Sequence, residues 1–541
     1  MPLFRKNFRN YFTVYNLFLI AAILLFIGVR LRHINISFER DEGEYAYAGQ
    51  EILRGGLPYK DFYNMKMPGV YYIMAFLFRL FGDSVYTVKL SLLFINLTSA
   101  FFIFLTAKKL FGKDTGIAAA AIFLLFCLSY SAQGWTANAE HYVVFFACIG
   151  LYFAVLARQK DSNIFLFFSG AVMMLALICK QHGIGFLMFP GFWFMYINFK
   201  SEVSKRWSEI NFKSFLPIFQ KYAVQMFFYG LGCALPFSGM IFYFWHFDIL
   251  PSFYYLTFQY AQAYTGIKPM FLEIWQFRPV FWDAFGFWFL IFVLFYFDIR
   301  KKIKIGQDGF FPILFICCFA SVSIGWYYRP HYFQLLFPVA AMMSAWVIVH
   351  LDFFWSAKWL TPTRYIVFSF AGMLVMQQAY FFSASSEFIT KAMYKGDFFN
   401  EEKEIGTHIN SLMSTPNEKI GLVGCEPEVF YYSKRQSASG FIYVYPLLEK
   451  QCYATAMFQQ FVKEIETVKP EILVYVQNIN DASLDEDKVN LLNQWFADFS
   501  KGYNIVAQSY LENGISKMDW HSENKMRVSL DSTITLIYKI K

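Results

Sequence analysis

Apolar runs recur along the first two thirds of the chain and then stop. Eleven of them, at residues 11–29, 86–106, 116–131, 141–157, 164–180, 184–198, 223–246, 284–299, 310–326, 333–349 and 365–382, approach the length a helix needs to cross a bilayer. Each is read as a transmembrane helix. The shorter run from Val70 to Phe81 carries Arg79 and is read as a helix lying in the membrane interface. The first run follows Arg5, Lys6 and Arg9 as a signal sequence would, but it is too long and lacks a small-residue cleavage site. It is expected to stay as an anchor.

Past Tyr380 the charge rises and the apolar runs shorten to strand length. "EKIGLVG", "EILVYV" and "STITLIYKI" read as strands, while "EPEVFYYSKR", "AMFQQFVKEIETVK" and "DKVNLLNQWFADFSK" have helical spacing. The alternation predicts a small α/β domain over 383–541, after a transmembrane domain over 1–382 whose first outer loop spans 30–85. "GLVGCEPE" puts two glycines after a strand but has neither GxGxxG spacing nor a basic residue, which argues against a nucleotide site. The domain reads better as a lid or an acceptor platform.

Composition agrees with this pattern: 57% of the residues are hydrophobic and only 16% charged, which argues against a large soluble enzyme. The fold class is therefore an α-helical polytopic membrane protein with a C-terminal soluble α/β domain. A cytoplasmic N-terminus makes "AKKLFGKD", "RQKDSN", "NFKSEVSKRWSEINFKSFLPIFQKY", "DIRKKIKIGQDG" and "HLDFFWSAKWLTPTR" inner segments, and these are denser in Lys and Arg than the outer loops. An odd number of spans then places 383–541 outside, with the loop 30–85, on the periplasmic side of a plasma (inner) membrane. Arg30 and Arg32 run against the pattern, yet they are what an outer anion site needs. Six cysteines fall in spans, as small buried hydrophobes; Cys425 and Cys452 fall in the outer domain, where a disulfide or two thiols fit equally. No CxxC or HExxH motif points to a metal.

Charge is concentrated in "FERDEGEYAYAGQEILRGGLPYKDFYNMKMPGVYY", directly after the first span. Asp41 and Glu42 follow Arg40, with Glu44 two residues on, and Lys66 ends the loop. A carboxylate here can take a proton from an incoming hydroxyl, a task for an ionised, positioned acid rather than a paired one. Capping acids in a solvated loop fit the spacing as well. The other polar outliers, Asn138, Glu140 and His141, then Lys180 and His182, then Arg329, His331 and Gln334, all fall on the same outer face. Singly each reads as a snorkelling or hydrogen-bonded residue; together they suggest one site. Transfer of a sugar from a polyprenyl phosphate uses this mixture, with cations for the departing phosphate and a carboxylate for the acceptor hydroxyl. A flippase for lipid-linked sugars would show broken or charged helices and paired halves. A polysaccharide ligase would place its large loop late in the chain.

The same stretch resembles the first outer loop of GT-C glycosyltransferases related to protein O-mannosyltransferases and the lipid A aminoarabinose transferase. There an Asp-Glu pair follows the first span and a Lys-Pro-Pro motif closes the loop. The likeness continues through "ANAEHYV", "CKQHGIGFL", "RPHYFQLLFP" and "EPEVFYYSKRQSASGF". It implies a GT-C-like bundle, a polyprenyl-phosphate-sugar donor, a lipid, glycan or protein acceptor, no nucleic acid, and an inverting displacement outside the cytoplasm. By position, it makes Asp41 the base or acceptor-orienting acid and Glu42 its companion. Lys66, Lys180 and Arg329 become donor-phosphate contacts, and Glu140, with Asn138 and His141, the second acidic or acceptor position; His182 and His331 are further candidates. Met67 stands where the family has its first proline, which questions the rigidity of the loop. Some relatives use a divalent cation and others none, so no metal is assigned.

Overall fold

Each of the eleven apolar runs falls on a helix in the computed structural model, which describes residues 13–203, 212–266, 271–299, 309–354, 359–394, 398–477, 484–512, 515–520 and 533–541. The basic start and parts of the three longest inner segments lie outside the described residues. Among those described, six helices are long and apolar enough to cross a membrane: Val14–Arg32, Val85–Phe111, Ala139–Lys160, Phe215–His246, Pro330–Val349 and Pro362–Ser383. Leu272–Asp283 and Phe285–Phe297 form a further apolar pair bent by 113°. Asn163–Cys179 and Phe310–Trp326 are shorter apolar helices.

The chain divides into two compact units, one of residues 1–34, 89–243 and 271–385, the other of 35–88, 244–270 and 386–541. In the membrane unit the helix Lys113–Phe126 is buried almost all round, and its run Ala118–Ala121 lets neighbours approach closely. Gly170 and Gly232 make a second close crossing: a Cβ on Gly170 would strike the Tyr229 carbonyl, and one on Gly232 the Phe167 carbonyl. At the bend, Asp283 accepts hydrogen bonds from the Ser129 hydroxyl (2.6 Å) and the Ser131 amide (2.7 Å). Arg30 is turned inward, its Nη2 donating to the carbonyls of Cys127 (3.1 Å) and Gly134 (2.6 Å). Its guanidinium also lies over Phe26. The sequence offered Arg30 to an outer anion; the fold spends it on the backbone of the 127–134 turn, whose carbonyls point inward without strand or helix partners.

The other unit contains six strands, β1 (Lys419–Val423), β2 (Gln436–Ser437), β3 (Ile472–Val476), β4 (Tyr503–Glu512), β5 (Ile515–Asp519) and β6 (Thr533–Ile540). They form one sheet in the order β2-β1-β3-β6-β4-β5, parallel from β2 to β3 and antiparallel beyond. The three expected strands are β1, β3 and β6; β4 and β5 interleave polar residues with too little alternation to stand out. After β1, Glu426 turns its carboxylate back onto the Cys425 amide, so that N–H is unavailable to a phosphate. Cys425 is buried and Cys452 exposed, and both are free thiols, so no disulfide joins them. The Val70–Phe81 run is the helix Gly69–Phe81, with Val70, Tyr71, Met74, Ala75 and Phe78 buried and Phe76, Leu80 and Phe81 exposed, as an interfacial helix would be. Glu402, on the helix Phe399–Leu412, is buried and lies in the field of the Glu428 carboxylate. Burial, then the charges of Glu428 and Glu426, push its pKa well above the ordinary carboxylate value, against the opposing pull of Arg40.

Two outcomes follow from this packing. Arg30→Ala strips two buried carbonyls of a charged donor and should cost about 2–4 kcal/mol, read as a lower inactivation temperature in detergent, while Leu24→Ala on the exposed face leaves it unchanged. Because the folded pKa of Glu402 is raised, its contribution to stability is complete below the unfolded value and is lost as pH rises through the folded one. Glu402→Gln, which removes the titrating carboxyl, should flatten the alkaline decline of the melting temperature.

Candidate active site

The charged stretch after the first span is mostly helix. The Glu39 carboxylate accepts the Glu42 amide (3.0 Å) and caps the helix Arg40–Leu53, and Asp41 and Glu42 sit in its first turn, where the helix dipole favours negative charge. Burial, followed by the charges of Asp41 and Glu42, raises the pKa of Glu39 well above its ordinary value. Gly43 lets this helix press against Glu428–Ser433: a Cβ there would stand 2.5 Å from the Glu428 Cβ.

Helical geometry decides which acids meet. Positions three apart share a face, so Asp41 and Glu44 point together and Glu42 points elsewhere. Lys66 Nζ lies 2.8 Å from Asp41 Oδ1 and 2.6 Å from Glu44 Oε2. Its ammonium also rests over the Tyr45 ring. Two phenols complete the cluster, Tyr71 donating to Glu44 Oε1 (2.5 Å) and Tyr443 to Glu44 Oε2 (2.6 Å). Glu44 is fully buried, whereas Asp41 keeps 21% of its side chain exposed and is the carboxylate a substrate can reach. Burial works to lower the pKa of Lys66, but Asp41 and Glu44 override it and hold the amine firmly protonated. Burial, then the Glu44 charge, pushes both Tyr71 and Tyr443 well above the ordinary phenol value, so they remain donors.

Two expectations change. Asp41 is ion-paired rather than unpaired, and its companion on Lys66 is Glu44, not Glu42. Glu42 is fully buried in the field of Glu39 and Tyr432. The i, i+3 spacing of Asp41 and Glu44 carried the signal, which a loop reading hides. Met67 does not loosen the loop: it is buried, and Tyr59 holds the neighbouring backbone by donating to the Lys66 carbonyl (2.7 Å). Tyr59 takes a left-handed φ of 67° and is boxed in by Phe244 and Phe253, a local strain sustained by the packing. Arg40 spans Cys425 and Glu426, its Nε donating to the Cys425 carbonyl (2.6 Å).

The membrane unit holds a separate polar group. Glu140, in the first turn of Ala139–Lys160, accepts from Lys180 Nζ (2.6 Å), and both side chains are buried. The Lys180 ammonium and the His182 ring both lie on Tyr332. His331 Nδ1 is 2.7 Å from Gln133 Oε1, and Gln334 donates to the Ala132 carbonyl (2.8 Å). Asn138 and His141 turn to structural partners, Thr136 (2.7 Å) and Asn96 (3.0 Å). Arg329 is exposed, its guanidinium over the Tyr327 ring. Glu140, Lys180, His182 and His331 thus gather in one place. Among the described residues no three His, Cys, Asp or Glu side chains are grouped to hold a metal ion; the cation between Asp41 and Glu44 is the Lys66 ammonium.

The model of the dolichyl-phosphate-mannose-protein mannosyltransferase family matches residues 65–220, a segment that takes in Lys66, Glu140, Lys180 and His182. No curated protein matches the chain. Among solved structures, ArnT from Cupriavidus metallidurans bound to undecaprenyl phosphate is similar with a TM-score of 0.55 at 12% identity, over 96% of this chain and 97% of that one. The apo form of ArnT gives a TM-score of 0.56. The oligosaccharyltransferase AglB from Archaeoglobus fulgidus, in complex with an inhibitory peptide and a dolichol phosphate, reaches 0.51 at 11% identity, over 96% of this chain and 75% of that one. At such identities the likeness is one of fold. The chain is thus an integral membrane protein with the fold of these glycosyltransferases along its length, and its residues 65–220 match the dolichyl-phosphate-mannose-protein mannosyltransferase family model.

Proposed function

We propose that the protein moves a glycosyl group from a polyprenyl-phosphate carrier to a hydroxyl on a lipid, glycan or protein. The observation that carries this reading is the lysine held between two carboxylates of unequal exposure. Asp41, paired with Lys66, is a poor base. A donor phosphate arriving at Lys66 competes for the ammonium, which stays tethered through buried Glu44. Asp41 is then released, ionised and already positioned. The acceptor oxygen attacks the anomeric carbon as its proton passes to Asp41; the bond to phosphate breaks, and the electron pair leaves with the phosphate, whose charge Lys66 balances. One displacement inverts the anomeric centre, whether the sugar is a hexose or a pentose. Lys180, gripped by Glu140, is a second cation available to a phosphate by the same exchange, and exposed Arg329 is a third. Glu140 is the second acid, with His182 and His331 beside it. Asn138 and His141 are supports rather than ligands, given their partners.

The density of Lys and Arg in the inner segments supports a cytoplasmic N-terminus and catalysis on the extracytoplasmic face of the plasma membrane, with the α/β domain on that side.

Radiolabelled polyprenyl-phosphate sugars, presented to the purified protein in lipid with membrane acceptors, should lose label to an acceptor. Label that stays on the carrier and crosses to the other leaflet would make the protein a flippase, a reading the bent pair at Asp283 alone favours. Asp41→Asn should lower transfer by about 10²–10⁴-fold with carrier binding intact. Normal turnover in that variant would remove the base assignment. Lys66→Ala should weaken both binding and transfer, and Lys66→Arg should restore binding better than rate, since a planar fork does not reproduce a point charge between two acids.

A further inference from the structure

The unit that holds Lys66 contains a concavity of about 730 Å³ that shares no residue with the cluster of Asp41, Lys66 and Glu44. Its volume lies within the range of small-molecule sites. The walls are of two kinds. One is aromatic: the Trp520 indole and the His408 imidazole stack with ring centroids 3.7 Å apart and planes inclined by 28°. The other is polar and already oriented: Asn400 accepts from the Ser37 hydroxyl (2.8 Å) and donates to the Glu387 carbonyl (3.3 Å). Asn35 and Thr407 add further groups that both donate and accept.

This combination matches a saccharide. A sugar ring offers an apolar C–H face to an aromatic wall and a rim of hydroxyls, each donor and acceptor at once, to amides and alcohols. The charges argue against a phosphorylated ligand: Lys403 shares the lining of the cleft with the carboxylates of Glu387 and Glu404. Phosphate sites instead concentrate cations and free backbone N–H groups.

We infer that this cleft is a binding subsite for a neutral glycan, the acceptor chain or its continuation. The word acceptor rests on the transferase reading; saccharide binding itself does not. The test uses the full chain in lipid nanodiscs and saturation-transfer NMR with mannotriose, chitotriose and maltotriose, with glucose 6-phosphate as the charged control. At least one trisaccharide should bind, and glucose 6-phosphate should bind no better than glucose. Trp520→Ala should weaken the signal roughly fivefold or more through loss of stacking. Ser411→Trp fills the cleft from an exposed helical position and should abolish the signal while leaving the fold intact, which guards against misfolding of the first variant. No trisaccharide binding in the native chain, or binding indifferent to Ser411→Trp, overturns the inference. Release of label from the carrier, measured in parallel, keeps the two readings apart. Binding without release sinks the transferase and spares the cleft; release with indifferent binding does the reverse.

Discussion

A single ammonium group between two carboxylates ties together the unit that carries the sheet. Lys66 comes from the end of a loop, Asp41 and Glu44 from one face of a helix, Tyr71 from the next helix and Tyr443 from the C-terminal domain. Three neighbouring segments and one about 370 residues further on therefore meet at one largely buried charge. Burying charge is costly, and a buried pair seldom outperforms apolar packing in stability, while removing one partner costs about 3–5 kcal/mol. Here Glu44, sealed and doubly hydrogen-bonded by phenols, anchors the ammonium. Asp41, partly exposed, is the partner that the proposed exchange would release.

The membrane unit is built on a different constraint. Apolar burial does not discriminate between lipid and protein, so its helices recognise one another by close approach at small residues, as at Ala118–Ala121, Gly170 and Gly232. Several of its charged side chains already have partners within the fold. Arg30 and Asp283 hold backbone at the irregular segments, and the Glu140–Lys180 pair neutralises itself. Charge that looks available on paper is mostly engaged in three dimensions.

This explains what could be read from the sequence. Apolar runs report helices well, because a bilayer demands about 20 apolar residues whatever the tertiary structure; all eleven fall on helices, and β1, β3 and β6 are legible because they are buried and apolar. Lys66, Glu140 and Lys180 stand out as charges out of place. Glu44 did not, since its importance lies in a three-residue spacing that matters only once Arg40–Leu53 is known to be helical. The sheet edge formed by β4 and β5 was hidden by mixed polarity, and the fate of Arg30 by carbonyls that no sequence pattern marks. Partners drawn from remote segments, such as Tyr443, cannot be read from a local pattern at all.

The central claim is an exchange of partners at Lys66, and its most direct test is a structure of the protein in lipid with a polyprenyl phosphate bound. In that complex Lys66 Nζ should lie on a phosphate oxygen, still within hydrogen-bond reach of Glu44 and more than about 4 Å from Asp41, beyond ion-pair distance. A bound phosphate with Lys66 still locked onto Asp41 would contradict it.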